Sequence, residues 1–539
     1  MSILSIFDIG KTALMANQTA ISVTSHNISN VNNPDYSRQE VILGIKTPIK
    51  IRGGYLGRGV SVDGIKRSYD KFLTDMLINQ ENMLGRSTIL KDILSQVEEV
   101  FNEANRSGLT GAINDFFNAL EDLSSNPSDI TKRTVLMNVG NELISKFKIM
   151  ENSVEDTTVN IKFEMGELIK KINSIGKEIA GINKKIVQLE AGGVGQANDL
   201  RDRRDALLKE LSGIVNVSYY ENSDKAFVVI VGMRNLVSGG IYNEITMSQT
   251  TDGAIFKLDG IDISEKITGG KLGGLVDALK LINNEILYKF RKLLAGFTNE
   301  FNLIYQTGFD LNNNTGNNFF KPLTNIYYEE HSQSGTITSI SVDNYANLKF
   351  NEYYINIKSG NIYEVVNKYN NEVILTGSYV SGSPIVFDGI SVTISGAVNA
   401  YDSFFISPIK TFIKDAGLNI NDAKAIALAS VPNAPSDNTN LLSLLGLKQS
   451  VIPSLNNKSI YDFYNDITSE IGVLSASAND NLRFEQTLYN EISNRKNVVH
   501  GVNLDEEAVN LIKYQRAFEA AAKVIQVANE LLDTLVKIV

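Results

Sequence analysis

The chain has 539 residues, 43% hydrophobic and 21% charged, with 61 acidic side chains against 51 basic ones and a net charge of −10. At roughly 150 residues per domain this length implies three or four domains, and the acidic balance argues against a nucleic-acid binder, which needs a basic face to release counterions. There is no cysteine, and the histidines are His26, His331 and His500, far apart in sequence. Disulfides, thiolate nucleophiles, cysteine-held metals and an HExxH-type zinc site are thereby excluded.

The first segment reads as a helix. Phe7, Leu14, Ile21 and Ile28 repeat at a spacing of seven, flanked by Ile3, Ile6, Ala13 and Ala20. Gly10 and the alanines leave room for close helix approach, and some 25 residues of helix span about 40 Å. The segment is no secretory signal: it lacks a basic leader, Asp8 and Lys11 interrupt its apolar run, and no small-residue cleavage site follows. The expectation is a chain that stays in the cytosol or leaves the cell without a cleaved signal.

The helix then stops abruptly. Asn27, Asn30, Asn32 and Asn33 tolerate left-handed conformations and bond to their own backbone. Pro34 cannot continue a helix and biases Asn33 towards an extended conformation. The turn predicts a joint that launches Tyr36, Ser37, Arg38 and Gln39 in a new direction.

Residues 46–67 are Gly-rich and β-branched, a hairpin-like excursion. Helix follows over 68–122 with a break at Ser107-Gly108, and Asn126-Pro127-Ser128-Asp129 turns into a long helical stretch from about 129 to 190. Gly192-Gly193 breaks it, and ANDLRDRRDALLKELSG (197–213) resumes it. Residues 214–270 are β, punctuated by Asp252-Gly253 and Asp259-Gly260. Helix returns over 272–308, a polar loop covers 310–318, and β returns over 336–407, where Ile390, Val392 and Ile394 alternate with Ser391, Thr393 and Ser395 after Asp388-Gly389. Residues 411–500 read as mostly helical with a Pro/Asn/Ser loop at 432–440. The longest apolar runs, such as 226–233, fall far short of the ~20 residues that span a bilayer.

The last segment has the cleanest period. Leu504, Leu511, Phe518, Ile525, Leu532 and Val539 stand seven apart, and Tyr514, Ala521, Ala528 and Leu535 form a second column three residues later. Such columns suit a helix packed on its own domain as well as one that meets a partner helix. The N-terminal helix is the economical partner.

Chemistry is hard to place. Gly53, Gly54, Gly57 and Gly59 are out of order for a phosphate loop and read as turn glycines. Arg201, Arg203 and Arg204 alternate with Asp199, Asp202 and Asp205, by default a salt-bridged helix surface. His26 suits a helix C-terminus, where a cation is favourable. No nucleophile, base and orienting group can be assembled, so the reading is of a protein that is not an enzyme and needs no cofactor or metal.

The asparagine-rich joint resembles the N-terminal motif of bacterial flagellar rod, hook and hook-associated proteins, and GVNLDEEAVNLIKYQRAFEAAAKVIQVANELLDTLVKIV (501–539) resembles their C-terminal motif. GRGVSVDGIKRSYDKFLTDML (57–77), ANDLRDRRDALLKELSG and GVNLDEEA narrow the likeness to the hook-associated protein 1, or FlgK, family. It runs the length of the chain, strong in the helical parts and loose in the β modules. The ANDL…RD helix argues against the alternative of another axial hook or rod protein. An extracellular glycan-binding protein is the alternative of a different class, with Tyr353, Tyr354, Tyr363 and Tyr369 as a platform, although strand tyrosines are more often core.

The resemblance implies an α+β multidomain chain: a terminal coiled-coil domain (1–45 with 500–539), an elongated helical rod domain (46–213, 271–309 and 411–499), a β module at 214–270 and an outer antiparallel β module at 310–410. It also implies a ring of copies at the hook's distal end, built outside the cell after export without a cleaved signal. The partners would be the hook protein, a second junction protein on the filament side, and an export chaperone on the C-terminal helix, with no nucleic acid and no membrane. The expected assembly interface is Ile3, Phe7, Leu14, Ile21, Ile28, Leu504, Leu511, Phe518, Ile525 and Leu532; the joint is Asn27, Asn30, Pro34, Tyr36, Arg38 and Gln39. Three residues depart from the pattern: Asp35 and Tyr401 where glycine is common, and His500, expected at the surface.

Overall fold

The computed structural model describes residues 3–51, 53–102, 108–192, 195–332 and 334–538. Its helices are α1 (Ile3–Ser29), α2 (Lys71–Phe101), α3 (Leu109–Ser124), α4 (Ile130–Glu190), α5 (Asn198–Ile214) and α6 (Gly270–Leu281). They continue with α7 (Tyr288–Tyr305), α8 (Phe412–Asp415), α9 (Thr439–Gly446), α10 (Ile460–His500) and α11 (Leu504–Ile538). Antiparallel sheets stand between them. The fold is α+β, with long helices and inserted β modules as the pattern implied.

The chain forms two compact units. The first comprises Met1–Leu90, Lys162–Val276 and Asn479–Val539; the second, Lys91–Ile161 and Asp277–Ala478. In the first, strand Gln39–Ile45 pairs with Val60–Arg67, Gln39 opposite Arg67, and a bulge lies between Ile42 and Leu43. Between these strands Ile49–Ile51 and Gly54–Leu56 form a separate hairpin, with Ile49, Ile51 and Tyr55 exposed. Residues 217–242 make a four-stranded meander and 245–262 a three-stranded one. At the second turn of the latter Asp259 and Gly260 both take positive φ, as a two-residue hairpin of this type requires.

The second unit is built on α7. Phe297 and Phe301 meet Phe116, Phe319 and Phe320, with ring centres between 5.3 and 6.2 Å apart. A five-stranded sheet and a three-stranded sheet fill 327–407. Ile390, Val392 and Ile394 are buried there, as their alternation predicted.

The 61 residues of α4 make a helix about 90 Å long. Asp129 caps it, its Oδ1 accepting from the backbone N–H of Thr131 and Lys132. Apolar residues keep one stripe buried: Leu143, Phe147, Met150 and Val154 in the second unit, Met165, Ile172, Ile179 and Ile186 in the first.

Two expectations need correction. Residues 416–431 and 447–459 are largely irregular rather than helical, whereas the loop expected at 432–440 is present up to Asn438, after which α9 begins. Pro432, Pro435 and Pro453 interrupt helix there, and side chains take over the backbone hydrogen bonds. Asp437 accepts from the backbone N–H of Ser430 and Thr439, and the buried Arg133 guanidinium donates to the carbonyls of Pro127 and Ile426. Within the stretch expected as one helix over 272–308, Ile282–Leu287 is a π-helical turn. Of the predicted breaks, Gly108 caps α3 and Gly192 follows α4, whereas Ser107 and Gly193 lie outside the described residues.

Candidate assembly interface

Helices α1 and α11 pack along each other in the first unit. Their approach is close: a Cβ on Gly10 would stand 2.8 Å from Ile525 Cγ1. The face that α1 turns inward is Ala16, Ala20, Val23 and Asn27, at spacings of four and three. On α11 the buried residues are Glu507, Ala521 and Ala528, in the same column as half-buried Tyr514.

On α1 the contact lies beside the column of larger side chains, and on α11 it is the second column, that of Tyr514, Ala521 and Ala528. Leu14, Ile21 and Ile28 are half-buried and Phe7 is exposed; Leu511, Phe518 and Ile525 are half-buried, and Leu504 and Leu532 are exposed. The side chain of Ile3, and Val539, lie outside the described residues. The physical reason is size. Small residues let two backbones come together, and the bulkier apolar groups then flank the line of contact. Outside that line Leu4 and Met15 on α1, and Val509, Ile512, Val524, Val527 and Leu531 on α11, are exposed, as is Leu535 at the distal end of the buried column.

At the base of the pair the joint is a buried polar knot. Asn27, 1% exposed, accepts at Oδ1 from the Tyr36 hydroxyl (2.7 Å) and the Gln39 backbone N–H (2.9 Å). Its Nδ2 donates to the Gln39 carbonyl (2.9 Å) and to Glu507 Oε2 (3.1 Å). Asn27 thus does for the departing strand what a neighbouring strand would do, and Pro34 frees the chain to turn back on it. Tyr36 also meets the His26 ring edge-on, with centres 5.4 Å apart. Asn30 closes the helix end, its amide donating to the His26 carbonyl. Asp35 has no positive φ and instead pairs with Lys209 at 2.7 Å.

Arg38 ties the joint to α11. Its Nε donates to Glu507 Oε1 at 2.7 Å, its Nη1 lies 3.2 Å from Glu506, and its backbone N–H donates to the His500 carbonyl. Glu507 is 2% exposed and sits in the first turn of α11, where a negative charge is favoured by the helix dipole.

The other side of the joint rests on α5. Gln39 Nε2 donates to Asp199 (2.8 Å), and the Ser37 backbone N–H donates to Asp202 (3.0 Å). Asp202 and Asp205 both pair with Arg67 at 2.7 Å, and the Arg67 guanidinium lies over the Tyr69 ring. Burial raises the Asp205 pKa, opposed by Arg67 and Arg204. Burial likewise raises Tyr36, helped by Asp199, Asp202 and Glu507, and lifts Tyr69 to about 12.

Two sequence readings are overturned here. The ANDL…RD helix is not a solvated charge ladder: Arg201 and Arg204 are buried, and only Arg203 keeps the expected exposed pair, with Glu178. His500 is not at the surface either. It is 2% exposed, and its Nε2 accepts from the Asp70 backbone N–H at 2.8 Å. Burial, with Lys496 and Arg67 nearby, lowers its pKa to about 4. Sequence reasoning missed Glu507, Arg67 and His500 as parts of the joint. The three acids of GVNLDEEA were their one visible sign.

This arrangement holds distant segments of the first unit together. Among the described residues no group of His, Asp and Glu is placed to hold a metal ion, and no helix is long and apolar enough to cross a membrane.

Comparison with known proteins follows the same lines. The family model "Flagellar hook-associated protein FlgK helical domain" matches residues 94–320, and "Flagellar basal body rod FlgEFG protein C-terminal" matches residues 500–538. Flagellar hook-associated protein 1 of Salmonella typhimurium is 28% identical over 554 residues, covering 99% of this chain and all of that protein. The Bacillus subtilis protein of the same name is 27% identical, covering 98% of this chain and 96% of its own. The flagellar hook junction protein FlgK of Burkholderia pseudomallei shares the fold, with a TM-score of 0.68 at 15% identity over 78% of this chain and 98% of that one. From end to end the chain is thus similar to flagellar hook-associated protein 1 (FlgK) proteins, and its helical middle matches the FlgK family model.

Proposed function

We propose that this chain is a structural junction protein between flagellar hook and filament, with no catalytic role. The observation that carries the reading is the end-to-end relation to hook-associated protein 1 proteins. The apolar residues left exposed around the paired terminal helices support the mechanism. A helix apolar on most of its faces has to bury more than one of them. Here α1 covers one face of α11, and neighbouring copies in a ring cover the others.

In this reading the terminal domain is the assembly element and the β modules face outward. The hook protein lies on one side of the ring and a second junction protein on the other. Before assembly an export chaperone shields α11, and the chain reaches the cell exterior without a cleaved signal. Deleting the gene and examining cells and medium by electron microscopy tests the role. Hooks without filaments, with filament subunits lost to the medium, are expected; intact filaments would refute it.

A further inference from the structure

In the second unit a cavity of about 580 Å³ is walled by Tyr288, Lys292, Asn351, Asn367, Asn456 and Phe463. This volume lies within the range of small-molecule sites. Lys292, on α7, is 5% exposed. Its ammonium donates to Asn351 Oδ1 at 2.7 Å and lies 5.7 Å from the centre of the Tyr288 ring.

No carboxylate among the described residues lies within ion-pair distance of Lys292; Asp388 favours its charge from further off and is held by the Tyr353 hydroxyl at 2.8 Å, and the acids around the cavity are engaged elsewhere. Glu470 is held by Lys289 at 2.5 Å, Asp466 by Lys458, Glu372 by the Asn370 amide at 3.0 Å, and Glu285 by the Tyr369 hydroxyl at 2.9 Å. The Tyr288 hydroxyl donates to the same Asn351 oxygen at 2.9 Å, so that acceptor already serves two donors. The outcome is a buried ammonium with one neutral acceptor and two donors to spare. Burial lowers the Lys292 pKa to about 8. A charge in that setting is stabilised by a counter-ion that also accepts its hydrogen bonds.

The wall beside the ammonium is aromatic. Tyr288 and Tyr369 stack with centres 5.1 Å apart and planes 15° from parallel. Tyr288 directly follows the π-helical turn Ile282–Leu287, a backbone irregularity often found beside functional sites.

The geometry points to a binding site for a small organic carboxylate, its charged group on the Lys292 ammonium and the Asn351 amide, its body against Tyr288 and Phe463. Nothing in the junction role calls for such a site, so the two stand or fall separately.

The test uses the full-length chain and a panel of benzoate, glutarate and glucuronate, with benzamide and glucose as uncharged counterparts. An amine-modifying reagent is followed by mass spectrometry at Lys292 and at exposed Lys170. At least one acid at millimolar concentration is expected to slow Lys292 labelling several-fold and to raise Tm, with Lys170 unchanged and the neutral counterpart inert. Lys292→Met is expected to fold with an unchanged or higher Tm and to lose the acid-dependent rise. Absence of protection across the panel, equal protection by the neutral compounds, or a thermal shift that survives in Lys292→Met would overturn the proposal.

Discussion

Asn27 Nδ2 donates a hydrogen bond of 3.1 Å to Glu507 Oε2 across 480 residues of sequence. The last turn of the N-terminal helix and the first turn of the C-terminal helix are therefore fastened by one side chain each. Glu507 accepts from Asn27 on one oxygen and from Arg38 on the other. It is the point where helix, joint and returning helix share a bond.

Replacing it should loosen that point. Glu507→Gln removes the charge that Arg38 faces in a nearly dry site, and breaking such a pair should cost about 2 kcal/mol or more. Hydrogen exchange in the first turn of α11 is the measurement. Opening there should become easier by that amount, while Glu506→Gln, whose side chain is 59% exposed, should change it by less than about 0.5 kcal/mol. Equal effects of the two would mean that Glu507 does not hold the joint.

Tyr36→Phe tests the other half of the same knot. It leaves the ring against His26 but removes the donor to Asn27 Oδ1, which keeps the Gln39 N–H as a partner. A loss of about 1 kcal/mol is expected, less than a fully orphaned buried acceptor would cost. Limited proteolysis across residues 30–45, compared with the parent chain, reads it.

How far was this legible in sequence? The stop at Asn27–Pro34 was, because helix breaking is a local property of asparagine and proline. The β modules were, because Asp259-Gly260 and the alternation around Ile390 are local as well. The partners of that stop were not. Glu507 looks like one of three first-turn acids, and nothing near it in sequence names Arg38 or Asn27. Likewise Arg201 and Arg204 are buried by the end of α4 and the strands that follow α5, and His500 by the segment around Asp70, none of which the helix pattern itself reveals. The seam was legible in part: Gly10, Ala20 and the column of Ala521 and Ala528 are visible at helical spacing, but the expected interface was drawn from the largest residues, and Ala16 was missed because close approach depends on what is small.

Acid should weaken the joint through His500. Its folded pKa, near 4, lies below the ordinary 6.5, so the unfolded chain takes up the proton first. The contribution is complete above pH 6.5 and is lost as pH falls to about 4, by up to roughly 3 kcal/mol. His500→Gln keeps an acceptor for the Asp70 N–H but cannot titrate. The stability difference between parent and variant should narrow or reverse in the parent's disfavour across that window. A constant difference would show that the imidazole does not titrate there.

Tyr401 offers a gain. It is 91% exposed with φ of 79°, a left-handed conformation that costs a tyrosine roughly 1–2 kcal/mol. Glycine accepts it freely but loses more entropy on folding. Tyr401→Gly should therefore stabilise the second unit by on the order of 0.5–1 kcal/mol, visible as a higher Tm. A lower Tm would mean that the ring contributes something its exposure hides.

The sharpest test of assembly avoids the line of contact within the chain. Leu511 and Phe518 are half-buried, so Leu511→Asp or Phe518→Asp would disturb the pairing of α1 with α11 as well as any contact with neighbours. Val527 and Leu535 are 53% and 54% exposed, Val527 off the buried column and Leu535 at its exposed distal end. Aspartate at either should leave monomer stability within about 0.5 kcal/mol. In a ring whose copies bury these faces, an unpaired carboxylate would be desolvated against apolar neighbours, at a cost of several kcal/mol per subunit contact. Cells carrying Val527→Asp or Leu535→Asp should therefore export a folded chain but lose filaments and motility. Normal swimming with either variant would place the subunit contacts elsewhere, and the apolar flank of α11 would need another partner.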